Sequence, residues 1–148
     1  MAGAGREEGC AGDMSRSELD ALARRWMTFW QGADLVDFTA LHTPDFVDHA
    51  AAGRPSTREG FRDGVAALYR AFPDFHARIE DLVIDEAAAK VVVRWSATGR
   101  HAAPFMGVAA TGLTLDFRGL EMLHCRDGRI AARWGEWDGE SLLDQLRA

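Results

Sequence analysis

The hydrophobic period of this chain changes once, near Phe75, and that change narrows the fold more than any other feature. Before it, apolar residues recur at helical spacing: Leu19, Leu22, Trp26, Phe29 and Trp30, then Phe61, Val65, Leu68, Tyr69 and Phe72. Both runs start at capping boxes, Ser15-x-x-Glu18 and Ser56-x-x-Glu59. Between them, Leu35, Phe38 and Leu41 mark a short second helix, and DFVDHA (45–50) an extended segment. After Phe75 the pattern alternates, with strands expected to 84 and over 91–101, 113–125 and 130–138. Arg126-Asp127-Gly128-Arg129 is a hairpin signal, and 139–147 reads as a terminal helix. Helices first and strands last indicate an α+β fold rather than a doubly wound parallel sheet. The expected architecture is a cone-shaped, curved mixed or antiparallel β-sheet, with N-terminal helices enclosing an apolar cavity.

Length and charge bound what such a cone can serve. The 148 residues suit one domain, divided into a flexible N-terminal tail over 1–14 and a single domain over 15–148. The net charge is −6, and no basic run exceeds Arg24-Arg25. A grip on nucleic-acid phosphates needs a basic stripe, so no nucleic-acid partner is expected. Lys90 is the only lysine, which leaves little Schiff-base chemistry. Cys10 and Cys125 lack a pairing signature, and His42, His49, His76, His101 and His124 lack metal-ligand spacing. No disulfide or metal site is expected. No apolar stretch approaches the ~20 residues of a membrane span, and residues 1–13 lack the apolar centre of a secretory signal, so the expected location is the cytoplasm. No nucleophile elbow, P-loop or dinucleotide fingerprint is present.

Five Trp in a domain this small suggest either packing or a pocket for a flat, bulky apolar ligand. Alternation along 133–138 (RWGEWD) puts Trp134, Glu136 and Asp138 on one face. A carboxylate facing an apolar cavity is desolvated, and its pKa rises toward the range useful for proton transfer. Asp138 is therefore either a general acid/base or the N-cap of the helix that follows. Glu136 is either a pocket residue or the partner of Arg133 or Arg94. His124 lies across the hairpin, 14 residues before Asp138; it either polarises a carbonyl or packs structurally. His49 and His101 are candidates for the pocket wall and mouth. Trp30, Phe46, Phe105, Met106 and Trp134 are the candidate ring-holding side chains.

Four stretches, DFVDHA (45–50), AFPDFHARIEDLVID (71–85), VVVRWSATGRHAAPFMGVAATG (91–112) and RDGRIAARWGEWD (126–138), resemble in order the SnoaL-like polyketide cyclases of the nuclear transport factor 2-like fold superfamily. The resemblance implies three helices on a curved mixed sheet, a deep apolar cavity and no cofactor. It also implies a homodimer or homotetramer packed through the sheet. The implied reaction is cofactor-independent intramolecular aldol ring closure of an aromatic polyketide intermediate. In it Asp138 corresponds to the family's acid/base aspartate, and His124, His49 and His101 to its pocket histidines. The chain departs from the family at Ala109-Ala110-Thr111-Gly112 and Gly99-Arg100-His101. The alternatives are an epoxide hydrolase or isomerase on the same scaffold, with Asp138, Glu136 and Arg94 around a water, or a non-catalytic small-molecule-binding module.

Overall fold

The computed structural model describes residues 14–148. Nearly all of the expected tail lies outside the described residues, and Met14, its last member, is buried in the core. Helix α1 (Arg16–Met27) starts at the expected capping box. The Glu18 N–H donates to the Ser15 hydroxyl at 3.1 Å, and the Ser15 N–H to the Glu18 carboxylate at 2.9 Å. Its buried face is Leu19, Leu22, Ala23, Trp26 and Met27, each large side chain contributing about 1.5–3 kcal/mol of apolar burial. Helix α2 (Arg58–Ala71) turns Phe61, Val65 and Tyr69 inward, and α3 (Gly139–Arg147) buries Leu142 and Leu146. Among the described residues no helix is long and apolar enough to cross a membrane.

The five strands are β1 (His42–Asp48), β2 (His76–Asp85), β3 (Lys90–Arg100), β4 (Thr114–Arg126) and β5 (Arg129–Trp137); the last four follow the expected runs, and β1 starts three residues before the segment expected at 45–50. They form one sheet in the order β1-β5-β4-β3-β2. β2 to β5 pair antiparallel, and β1 joins β5 parallel. The sheet is mixed, and α1 and α2 cover its inner face.

Two local expectations are corrected. The helix expected at Leu35–Leu41 is a turn followed by a single 3-10 turn, Thr39–Leu41. The Asp34 side chain accepts the Val36 N–H at 3.1 Å, a local bond that competes with helix formation, and one turn of apolar positions is too short to propagate. The second capping box does not form either. Thr57, not Ser56, caps α2 by accepting the Gly60 N–H at 3.1 Å. The Ser56 carbonyl instead accepts the Asp48 N–H at 2.8 Å, which ties the helix entrance to the end of β1.

One irregularity decides what faces inward. His124 pairs with Ala132, but Cys125 pairs with Ile130, so Ala131 is an extra residue on β5. Ile130 is fully buried. Counting by twos from Ile130 assigns Ala132, Trp134 and Glu136 to the inside. The bulge inverts that phase, and Arg133 and Gly135 take the inner positions, opposite Leu123 and Glu121.

The helices meet the first strand through a buried histidine. The Trp26 indole N–H donates to His42 Nε2 at 3.1 Å, and the Nδ1–H donates to the Phe38 carbonyl at 2.7 Å. Both ring nitrogens are satisfied while the ring is neutral. Burial, with lesser contributions from the nearby Arg133 and Arg58 charges, lowers the His42 pKa from 6.5 to about 4. The unfolded chain therefore takes up this proton more readily than the folded one. The His42 contribution is fully present above pH 6.5 and is lost as the pH falls through 4, about 3 kcal/mol in all. Urea unfolding of wild type and His42→Gln across this window should show the wild type losing about that much relative to the variant. Parallel curves would show that the ring is not held neutral.

Candidate active site

A cavity of about 470 Å³ opens between α1, α2 and the inner sheet face, within the range that holds drug-sized ligands. Its walls are largely aromatic. Trp26 and Trp30 come from the α1 end, Phe61 from α2, Trp95 from β3, Phe117 from β4 and Trp137 from β5. Pro104, Phe105 and Met106 reach it from the loop between β3 and β4. That loop turns at Met106 and Gly107, both at positive φ, between paired Phe105 and Val108. The expectation that the Trp excess serves a pocket fits the positions of Trp26, Trp30, Trp95 and Trp137. Trp134 lies on the opposite face.

The polar groups in this apolar setting are few and face one another. The inward row of β4 is Leu115, Phe117, Gly119, Glu121, Leu123 and Cys125, and Glu121 is its single charged residue. Its side chain is 11% exposed. One carboxylate oxygen, Oε2, accepts the Trp95 indole N–H at 3.2 Å, and the other, Oε1, has no hydrogen-bond partner. Gly119 allows this arrangement, because a Cβ there would lie 2.7 Å from the Trp95 ring. Arg133 enters from β5, 12% exposed, with Nε 3.3 Å from Glu121 Oε1 and 3.5 Å from Asp48 Oδ1. Its guanidinium lies 4.3 Å over the Phe61 ring. Asp48 is fully buried at the end of β1, and Arg54 approaches it at 3.6 Å while bordering the cavity.

Burial is the main cause of the state of Glu121. It pushes the carboxyl from 4.5 up to about 7, against the downward pull of Arg133 and the Trp95 hydrogen bond; Asp48 and Glu136 push it further up. Such a group is both a competent base and a competent acid near neutrality. Among the described residues no three His, Cys, Asp or Glu side chains converge as metal ligands.

The residues expected from sequence divide into two sets. Trp30, Phe105, Met106 and Glu136 border the cavity. The others do not. Asp138 caps α3 by accepting the Ser141 N–H at 2.9 Å and pairs with Arg118 at 2.7 Å. The Ser141 bond, then Arg118, hold its carboxyl below the ordinary value, the opposite of the shift expected from a buried acid/base. His124 and His49 pack on Trp134, with ring centres at 4.4 and 4.2 Å, on the outer face. His101 is buried, but its Nδ1 accepts the Thr111 N–H at 3.1 Å, which fastens the base of the β3–β4 loop. Phe46 is buried against Phe61 and His42. Arg94 pairs with Asp81 at 2.6 Å, so the trio of Asp138, Glu136 and Arg94 does not converge. Sequence reasoning passed over Glu121 and Arg133. The signal for Glu121 was present as one carboxylate in an otherwise apolar alternating row. That for Arg133 was hidden by the bulge.

A family model described as SnoaL-like polyketide cyclase matches residues 20–146. The aklanonic acid methyl ester cyclase AcmA of Streptomyces galilaeus is 28% identical over 127 residues, covering 83% of this chain and 88% of the relative. IdmH of Streptomyces antibioticus is 31% identical and superposes with a TM-score of 0.76 over 88% of this chain and 99% of its own. TsrD of Streptomyces laurentii shares the fold, with a TM-score of 0.81, 22% identity and coverage of 90% and 98%.

Trp95 supplies the hydrogen bond that favours the charged carboxylate. Trp95→Phe should therefore move the Glu121 titration midpoint upward from about 7, read by carbon NMR of the labelled carboxyl. A midpoint that stays put or falls would break the link between the indole and the acid.

Proposed function

The chain belongs to the SnoaL-like polyketide cyclase family, and from that premise we propose that it closes a ring in an aromatic polyketide intermediate by intramolecular aldol chemistry. The observation that carries this reading is the Glu121 carboxyl, which lines an aromatic cavity and is pushed by burial up to about 7. The Glu121 carboxylate removes a proton from the carbon alpha to a substrate carbonyl. The electron pair moves to the carbonyl oxygen and forms an enolate. The enolate carbon attacks a second carbonyl of the same molecule, and the new alkoxide takes the proton back from Glu121. Nothing is consumed besides the substrate. The aromatic walls hold the chain folded on itself, so that the two carbons meet without a bimolecular encounter.

Glu121 takes over the acid/base role that sequence reasoning gave to Asp138. Asp138 serves as the cap of α3, which explains its depressed pKa and its bond to Ser141. His124 and Trp134 lie across the sheet from the cavity and pack together on the outer face. Of the alternatives, the hydrolase reading loses its converging polar trio.

The test is turnover of an aromatic polyketide methyl ester, followed by mass spectrometry. Glu121→Gln should lower kcat by at least ~10²-fold with the fold intact. In the wild type, kcat/KM should rise with pH and level off above an apparent pKa of about 7, because the basic form starts the reaction. Asp138→Asn should stay within a few-fold of wild type, since Asn is also a good N-cap. Near-normal turnover by Glu121→Gln would remove Glu121, and a collapse in Asp138→Asn would return the role to Asp138.

A further inference from the structure

We propose that Asp48 is a positioning residue for the reaction: from the far side of Arg133 it shares that guanidinium with Glu121, and so sets how tightly Glu121 holds its proton. The assignment rests on the acid/base reading of Glu121 given above and adds what tunes that group.

Sheet pairing lines these groups up. β1 and β5 place Asp48 opposite Arg133, and β5 and β4 place Gly135 opposite Glu121. Gly135 lets the side chains close up: the space where its Cβ would stand is filled by Arg133 Nη2 and Glu121 Oε1, 2.6 and 2.7 Å away. Arg133 Nε then lies between two carboxylates, 3.3 Å from Glu121 Oε1 and 3.5 Å from Asp48 Oδ1. It hydrogen-bonds to neither, although a guanidinium fork offered one carboxylate commonly takes it along an edge. Asp48 is itself held in place. Its N–H donates to the Ser56 carbonyl at 2.8 Å, and its Oδ1 accepts the Ala50 N–H at 2.9 Å. Its side chain is fully buried, so water screens it little. Arg54 Nη1 closes the series, 3.6 Å from Asp48 Oδ2. The charges thus alternate from the loop after β1 across to β4: Arg54, Asp48, Arg133, Glu121. That order fixes the sign of each influence. Arg133 favours the Glu121 carboxylate, and Asp48 opposes it, both directly and by holding Arg133 back. Arg54 offsets Asp48. The other neighbours leave this order intact. Glu136, at the cavity rim, acts in the same sense as Asp48. From β3, Trp95 brings its indole N–H. From the α2 side, Arg58 points to the Thr39 and His42 carbonyls, and His42 is neutral between its two hydrogen bonds.

Two substitutions test the order of charges by pushing Glu121 in opposite directions. Asp48→Asn keeps the shape, can still accept the Ala50 N–H and removes the charge. The Glu121 titration, read by carbon NMR of the labelled carboxyl, should shift downward from about 7, with proton binding at least ~10-fold weaker, about one pKa unit. Arg54→Gln removes the charge that offsets Asp48, on a side chain that is 31% exposed and partly screened by water. The Glu121 midpoint should shift upward, with proton binding stronger by at least ~2-fold. The opposite signs separate tuning from damage, because a loosened core admits water and would lower the midpoint in both variants. Circular dichroism checks folding; should Asp48→Asn not fold, the Arg54→Gln shift decides alone. An unmoved or raised midpoint in folded Asp48→Asn, or an unmoved or lowered one in Arg54→Gln, overturns the assignment. The pH profile of kcat/KM should follow each midpoint, and kcat of Asp48→Asn should fall with the weaker base. Midpoints that shift as stated while turnover ignores them would keep the hold of Asp48 on the proton and remove the acid/base reading of Glu121. Turnover lost in Glu121→Gln while both midpoints stay put would remove the role of Asp48 alone.

Discussion

A buried guanidinium sets the terms for the rest of this molecule. Arg133 is held inside an aromatic cone, where an unpaired charge costs several kcal/mol. The surroundings answer in a specific order. Asp48 is drawn to the end of β1 and fully enclosed. Arg54 borders that carboxylate, and its own N–H donates to the Gly60 carbonyl at the start of α2. Glu121 completes the group, yet neither carboxylate is aligned well enough with Arg133 for a hydrogen bond. Apolar substitutes of the same volume are often neutral or stabilising in such positions. Four charges are nonetheless retained there, loosely coupled.

The aromatic packing supplies the rigidity these charges lack. Trp26, Trp30, Phe38, Phe61 and His42 stack in a continuous cluster, with centroid distances of 4.4–6.4 Å. Phe61 belongs both to this cluster and to the floor beneath Arg133. Trp95 links the other side, with its ring over Gly119 and its N–H on Glu121. Glu121 is thus positioned by side chains whose own places are fixed by packing, as the proposed acid/base role requires.

Much of the fold was legible in the sequence because it rests on period. The switch near Phe75 separates helices from strands, and the strand runs and the Asp127-Gly128 hairpin fall where alternation and turn chemistry put them. What was lost is local. Asp34 captures the Val36 N–H and stops a helix, and Thr57 outcompetes Ser56 as a cap. The site was half legible. Trp30, Phe105, Met106 and Glu136 reach the cavity, but the histidines and Asp138 were chosen for their chemistry on a face whose orientation had been misjudged. Alternation along β4 puts Leu120, Met122 and His124 on one face. It did not say which group was inside. The row of Leu115, Phe117, Leu123 and Cys125, apolar except for Glu121, answers that question.

The extra residue in β5 carries a broader meaning. Strand β5 has two alternating sets of side chains, one with Arg133 and Gly135, the other with Trp134 and Glu136. Ala131 determines which set points into the cone, with Glu136 reaching only the cavity rim. A sheet normally changes its lining one substitution at a time. Here a single-residue insertion or deletion would exchange a whole row at once, turning Arg133 outward and Trp134 inward while the helices, the hairpin and the sheet order stayed the same. A scaffold with that hinge in its sequence can move between chemistries by a change of register alone, and its relatives are best compared by bulge position before they are compared by residue.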